Sequence, residues 1–377
     1  MTDKMADTNV ETFIDKYGLR LGLDEVRSYA LSYRDLIIHD LKFPPKLSML
    51  KTFISPSGKI DDCTVSAIDA GGTKLRGCSF TLKDGQVFLS NMSERLLPGK
   101  DKKINSDEFF DVLADAIPED DSSRAGICFS YQIKSLENGD AEVLSLSKEL
   151  SIPDIIGKKV GEEINRALVR AGRREKECIV LNDTCSVFLN SEKVPEPDHI
   201  VAGLVLGTGF NICFEDNDTG YLVNSECGSF AGFPRTEIDL KLDSASEKPG
   251  WHPAEKMISG QYILKLCEMY KDAAKEEGIE SEEDLITVGN AATDRAAAFV
   301  CSILCGILEY SSERFCKNNV YYVVADGSAI IKNERLRTTL ERLLKEYTDK
   351  YMDIDCRLVY AEGSSLVGTA IAAAKMH

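Results

Sequence analysis

The sequence predicts an α/β protein built as two lobes. Two observations carry the prediction. An apolar strand, a Gly/Thr turn and a second strand occur in "SAIDAGGTKLRGCSF", and the same plan returns in "IVAGLVLGTGFNICFE". Helical stretches follow each copy, as layered α/β architectures require. The chain of 377 residues is also long enough for two ordinary domains.

The elements read in order as follows. Residues 10–50 are helical, because "VETFIDKYGL" and "VRSYALSYRDLIIHDL" carry apolar residues three and four apart. Phe43-Pro44-Pro45 breaks that pattern, and "SPSG" is a turn. "TVSAID" and "GCSFTL" are paired strands, and "DGQVFLSNMS" is a third after the turn signal Asp84-Gly85. A helix over "SDEFFDVLADAI" precedes the strands "AGICFSYQI" and "AEVLSLS". In "IPDIIGKKVGEEINRALVRAG", Ile156, Val160, Ile164 and Leu168 fall four apart, on one helical face. "ECIVLND" is a short apolar strand ending in an acid.

The second unit opens at "IVAGLVLGTGFNICFE". "AEKMISGQYILKLCEMYKDAAKEE" reads as a helix, "EEGIESEEDL" as a charged connector and "TDRAAAFVCSILCGILEYSSERF" as a long central helix. "VYYVVADGSAI" is strand then turn, "RLRTTLERLLKEYTD" an amphipathic helix, and "LVGTAIAAAKM" a closing helix of small residues.

With 43% apolar and 28% charged residues, the composition is that of a soluble globular protein. No continuous apolar run has the length of a membrane span, and the polar start lacks the core of a signal peptide. The twelve cysteines are scattered, without a C-x-x-C pair, and several lie in apolar strands. They read as reduced, small apolar residues, which with the start of the chain gives a cytoplasmic expectation. A net charge of −17 opposes binding to nucleic acid or to anionic membrane surfaces. It leaves room for an anionic cofactor, held locally by backbone amides.

Three Gly-rich turns end apolar strands: "DAGGT", "GTGFN" and "ADGS". Glycine lets the backbone approach a phosphate closely, and Thr or Ser adds a hydroxyl donor. Each alone is a plain turn; three together point to a phosphate site. The Walker and G-x-G-x-x-G patterns are absent, so the site is neither a P-loop nor a dinucleotide fold. Asp183, in "LNDT", has two readings. It could take the proton of an attacking hydroxyl, or cap the helix "CSVFLN". Asn211, Glu226 and Glu255 are polar groups suited to a hydroxyl-rich ligand. Glu255 is equally a favourable acid in a first helical turn, whereas Glu226, among small residues, has no ready structural explanation.

In order and spacing these motifs resemble the hexokinase family. The likeness runs from about residue 10 to the end, through "DAGGTKLRG", "LNDT", "GLVLGTGFNICF", "NSECGSF", "PGWHPAEKMISGQY", "VVADGSAI" and "EGSSLVGTAIAAA". The resemblance implies the actin-like, ribonuclease H-like fold, with a cleft between small and large domains. By that reading residues 1–60 are an N-terminal helical segment and 61–184 the small domain, joined by the C-terminal helix 364–377. Residues 185–363 are the large domain. It also implies transfer of the γ-phosphoryl of ATP to the 6-hydroxyl of a hexose, with Mg2+ and closure of the lobes on the sugar.

Carried over residue by residue, Asp183 is the base. Asn182, Asn211, Glu226, Glu255, Ser130, Ser147 and Lys148 contact the sugar. Asp69 faces the metal through water. Gly71, Gly72, Thr73 and Arg76, with Gly207, Thr208 and Gly209, hold phosphates, and Gly327 and Ser328 lie by the nucleoside. The chain departs from the family pattern at Lys74 (asparagine in the family), Gln132 (proline) and Ser147 (threonine), and in a short connector after Tyr270. Two alternatives accompany this reading: a kinase of the repressor–kinase sugar family, which usually carries a zinc motif not found here, and a hexose sensor without turnover. Sugar and ATP are the expected small-molecule partners.

Overall fold

The computed structural model describes residues 10–43, 49–72, 74–84, 86–100, 102–146 and 150–376. The chain forms two compact units. One comprises the described residues of Leu50–Gly203, Cys213–Asn224 and Gly363 onward; the other those up to Met49, with Leu204–Ile212 and Ser225–Glu362.

The unit that begins at Leu50 is built on a five-stranded sheet. Its strands run in the order Gln86–Leu96, Lys74–Lys83, Cys63–Ala70, Arg124–Phe129, Glu177–Leu181. The first two pairs are antiparallel and the last two parallel. The central strands read as apolar runs because both their faces are covered. On one face, Phe109, Phe110 and Leu113 of helix Ser106–Ala116 meet Ile127, Phe129, Ile164 and Leu168 in a single cluster. Asn105 starts that helix by accepting the Glu108 N–H on its side chain.

The C-terminal helix Ser364–Ala374 packs against the strands Cys63–Ala70 and Arg124–Phe129 and the helix Asp183–Leu189. Its approach is close enough to require glycine. A Cβ on Gly368 would lie 1.7 Å from the Ser186 carbonyl oxygen, and one on Gly126 would lie 2.3 Å from the Thr369 carbonyl oxygen. Elsewhere in this unit the Asp120 carboxylate accepts hydroxyls from Ser66, Ser79 and Ser122 and the Lys176 ammonium. The Lys176 and Asp120 side chains are only 6% and 11% exposed.

The other unit is organised around helix Glu282–Tyr310. Ser281 caps it, accepting the Asp284 N–H, and Glu282, Glu283 and Asp284 stand in its first turn, where the helix dipole favours acids. Every residue from Arg295 to Leu308 is buried. Helices Leu23–Lys42, Gly260–Glu276 and Glu334–Tyr347 pack on it. Phe233 stacks on Phe299 at 4.1 Å between centroids, and Arg295 pairs with Asp239 at 2.8 Å, out of solvent. Truncating a buried ring such as Phe299 to Ala costs about 3–5 kcal/mol. The turn Leu204–Ile212 and the parallel strands Val320–Asp326 and Asp355–Tyr360 also belong to this unit.

Several boundaries differ from the sequence reading. The first helical region stops at Lys42, and Leu50–Lys51 is a short strand. Helix Val160–Arg170 leaves Ile156 outside and exposed, because "DIIG" turns through Gly157 at positive φ. The helix expected over "AEKMISGQY" is broken at Ser259 into Pro253–Ile258 and Gly260–Glu276. The charged connector is partly the first turn of Glu282–Tyr310. That helix is long and apolar enough to cross a membrane by length and composition, contrary to the sequence reading. Nearly all of its apolar stretch is buried inside the protein. All twelve cysteines are free thiols.

Candidate functional site

In the unit that begins at Leu50, Asp69 lies buried near the end of strand Cys63–Ala70, directly across the ladder from Arg76. That register brings the guanidinium to 3.1 Å from Asp69 Oδ2, and the Ser365 hydroxyl donates to the same oxygen at 2.8 Å. The Gly71 N–H closes the turn on the Lys74 carbonyl at 3.1 Å. Gly72 stands exposed at its tip. Lys74 points away, onto Glu94 of the neighbouring strand at 2.6 Å, so its side chain belongs to the sheet surface. Ser130 is tied to the same turn: its N–H donates to the Ala70 carbonyl at 3.2 Å. The next residue, Tyr131, brings its hydroxyl to 3.5 Å from the Gly71 carbonyl. Gln132 accepts the Ser145 hydroxyl at 2.7 Å, a cross-strand bond at the position of the expected proline.

Asn182 and Asp183 follow strand Glu177–Leu181. The cap that Asp183 could have supplied falls to its neighbour. Asn182 is the N-cap, with its side chain accepting the Thr184 N–H, and Asp183 occupies the first helical position. Asp183 Oδ1 also receives that N–H, at 2.8 Å. Burial pushes the Cys128 thiol far above the usual thiol range, and the carboxylates of Asp69 and Asp183 add to the effect. The sulfur that feels both acids therefore stays protonated.

In the other unit, Gly207, Thr208 and Gly209 form the turn after strand Ile200–Leu206. The Gly207 N–H bonds the Gly209 carbonyl at 3.0 Å, and the Gly207 carbonyl accepts the Gly260 N–H at 2.8 Å, at the start of helix Gly260–Glu276. Gly327, at φ +114°, packs against this turn; a Cβ there would lie 2.4 Å from the Leu206 carbonyl carbon. Ser328 follows, exposed, and opens a short helix. The Phe210 N–H donates to Glu255 Oε2 at 3.1 Å, so Glu255 abuts the glycine turn. Burial raises the Glu255 pKa, with the Phe210 N–H and Lys256 working against it. Asn211 Oδ1 accepts the Ile212 N–H at 2.8 Å and the Ser225 hydroxyl at 3.4 Å. Glu226 sits in the left-handed region at φ +50°.

The sequence reading missed His252. It precedes Pro253, which should favour extended backbone, yet it stands at φ +47°, ψ +56°. Its Nδ1 is 3.1 Å from the Ser229 hydroxyl. Burial lowers its pKa, opposed by the charge of Glu226. Non-glycine residues held in this region cluster at functional sites. Glu226 and His252 are two such residues in one neighbourhood, where a Cβ on Gly228 would meet both Glu255 and His252. The only sequence signal was a histidine three residues before a candidate ligand.

Thus Asp69, Gly71, Gly72, Arg76 and Ser130 are brought together, and in the same unit Asn182 caps the helix that Asp183 begins. In the other unit Gly207, Thr208, Gly209, Gly327 and Ser328 gather in one place, and Asn211, Glu226 and Glu255 adjoin it. Thr73, Ser147 and Lys148 lie outside the described residues. Among the described residues no three His, Cys, Asp or Glu side chains group to hold a metal. Asp69 is a single hard carboxylate beside the Gly71–Gly72 turn. That donor set fits Mg2+, which keeps several waters and takes few protein ligands.

The five-stranded sheet, the repeated strand–turn–strand and the C-terminal helix define a two-lobed actin-like sugar-kinase fold. The chain belongs to the hexokinase family: two family models described as hexokinase match it, one over residues 25–192, the other over 201–285 and 268–375. Hexokinase-1 of Arabidopsis thaliana is 30% identical over 266 residues, covering 61% of this chain and 53% of that protein. Hexokinase-3 of Oryza sativa subsp. japonica is 28% identical over 250 residues, covering 59% and 49%. The chain thus matches about half the length of these relatives. Among solved structures, a crystal structure of a hexokinase superposes with a TM-score of 0.79 at 22% identity, covering 98% of this chain and 100% of that one. The hexokinase from Schistosoma mansoni complexed with glucose gives 0.79 at 18% with the same coverage. A ROK hexokinase from Thermus thermophilus reaches 0.55 at 16%, covering 82% and 98%. At these identities the likeness is one of fold.

Proposed function

We propose that the chain is an ATP-dependent hexokinase, transferring the γ-phosphoryl group to the 6-hydroxyl of a hexose. The observation that carries the reading is the division of labour at "LNDT". Asn182 takes the structural task of capping the helix. Asp183 Oδ1 shares the Thr184 N–H, but Asp183 is not the N-cap, and its carboxylate follows a strand end in the unit that also holds the Asp69–Arg76 turn.

Asp183 accepts the proton of the attacking hydroxyl. Asn182 and Ser130 hold the sugar in the same unit, and Asn211, Glu226 and Glu255 supply sugar acceptors from the other. Ionised carboxylates make the stronger hydrogen bonds to hydroxyls. Gly71, Gly72 and Arg76, and Gly207, Thr208 and Gly209, offer amides and one guanidinium to phosphate oxygens, where fixed donors stabilise developing charge. Gly327 and Ser328 lie by the nucleoside. Asp69 would hold Mg2+ through water, and the ion would neutralise phosphate charge.

The test is ADP release from ATP across glucose, mannose, fructose, glucosamine and N-acetylglucosamine. Hexose-dependent ADP release with one or more of these is the expected result. Hexose binding without ADP release would replace the reading with that of a sensor. The lower structural likeness to the ROK hexokinase supports the hexokinase reading over the repressor–kinase one.

A further inference from the structure

Thr184, the last residue of "LNDT", has no part in the reading above, yet four hydrogen-bond contacts converge on it. Its N–H is shared by Asn182 Oδ1 at 3.1 Å and Asp183 Oδ1 at 2.8 Å. Its hydroxyl lies 2.8 Å from Asn182 Oδ1 and 3.3 Å from Asn224 Oδ1. A hydroxyl carries one hydrogen, and the shorter contact takes it. The side chain is completely buried.

These contacts fix which way the Asn182 amide faces. Two donors, one N–H and one O–H, meet at Oδ1. Rotating the amide by half a turn would set its own N–H2 group against them. The oxygen must therefore face Thr184 and the nitrogen must face the opposite way.

We propose that Thr184 is a positioning residue for hexose binding: its hydroxyl locks the Asn182 amide in the orientation that presents N–H donors to a sugar hydroxyl oxygen. This inference rests on the hexokinase reading. The backbone N–H serves both Asn182 and Asp183, whereas the hydroxyl hydrogen goes to Asn182 and has no contact with Asp183. Losing the hydroxyl should therefore weaken sugar binding and leave the base in place.

Thr184→Val keeps the backbone N–H, the cap and nearly the same side-chain shape. Hexose Kd by calorimetry, and KM, should rise about ten-fold, or about 1.4 kcal/mol. The kcat and its pH profile should stay close to native, the signature of lost uniform binding. Thr184→Ser should restore the native Kd. Asn182→Asp provides a second arm, because aspartate caps helices equally well and accepts the same Thr184 bonds. It presents an acceptor where the amide donated, so it should fold and bind hexose more weakly than Thr184→Val. A native Kd in either Thr184→Val or Asn182→Asp would overturn the proposal. So would a loss in kcat with KM unchanged, or failure of serine to rescue. Should the native chain neither bind hexose nor release hexose-dependent ADP, the hexokinase reading itself falls, and that measurement comes first.

Discussion

The Phe210 N–H donates to Glu255 Oε2 at 3.1 Å, and the residue before it, Gly209, leaves room for that oxygen: a Cβ at Gly209 would lie 2.9 Å away. A turn assigned to phosphate and a carboxylate assigned to sugar thus share one contact. Gly209→Ala should push Glu255 aside. The expected result is hexose affinity lowered roughly ten-fold, on the scale of a hydrogen bond to a charged group, with ATP KM altered too. Calorimetric titration of hexose checks the first effect, and steady-state kinetics the second.

The buried position of Glu255 also sets a pH dependence. Burial raises its pKa above the ordinary 4.5, so the folded state favours the protonated acid. A raised pKa contributes stability below the unfolded value, and that contribution is lost as pH rises through the folded pKa. At neutral pH the ionised carboxylate is therefore a burden. Glu255→Gln should melt higher than the native chain at pH 7, and the difference should vanish as pH falls to about 4.5. Thermal melts across that range test it, and a variant that melts lower at pH 7 would refute it.

Asp183→Asn keeps the side-chain shape and removes the proposed base. Turnover should fall by about 10²–10⁴, the usual contribution of a general base. Hexose binding should persist, because Asn182 still caps the helix. Single-turnover phosphorylation alongside hexose calorimetry separates the two effects.

Asp120 predicts the opposite pH behaviour from Glu255. Burial acts to raise its pKa, but hydrogen bonds from Ser122, Ser79 and Lys176 outweigh it and hold the acid at about 2, against an ordinary 3.8. A depressed pKa contributes stability above the unfolded value, lost as pH falls from 3.8 through 2. The shift corresponds to about 2 kcal/mol. Asp120→Asn should lower the stability of its unit by about that amount at pH 7, with the difference shrinking in acid. Urea unfolding at several pH values measures it.

Gly368→Ala is the sharpest packing test. The added methyl would collide with the Ser186 carbonyl, which the Asp183–Leu189 helix cannot withdraw without moving Asp183. Overpacking of this kind costs about 1–3 kcal/mol and sometimes more. Both the melting temperature and kcat should fall. A variant that melts like the native chain would refute the close approach.

Much of this was legible in the sequence, and what was hidden had physical causes. The strand–turn–strand plan could be read because Val65, Ile68, Leu204 and Leu206 are apolar by necessity in buried strands, and the glycines mark the turns. The ends of helix Glu282–Tyr310 were obscured because its acidic first turn looks like a solvated connector, although acids there suit the dipole. The break at Ser259 could not be read, since it follows from the Gly260 N–H bonding a carbonyl more than fifty residues away. For the same reason sequence could not divide the work of Asn182 and Asp183: both are good caps, and geometry alone chose Asn182. Lys74, where the family has asparagine, is explained by Glu94 on the neighbouring strand, a partner that sequence spacing does not reveal.

The C-terminal helix carries one more consequence. Arg124 bonds the carbonyls of Ala374 and Met376 at one end of this helix, Ser365 bonds Asp69 at the other, and Gly126 and Gly368 fit its middle. All these partners are made early on the ribosome, but the helix itself emerges only after the bulk of the other unit has been synthesised. Until then strands Cys63–Ala70 and Arg124–Phe129 lack the helix that packs on them. The nascent chain therefore passes through a long interval with apolar sheet surface uncovered, the condition in which folding chains are prone to aggregate.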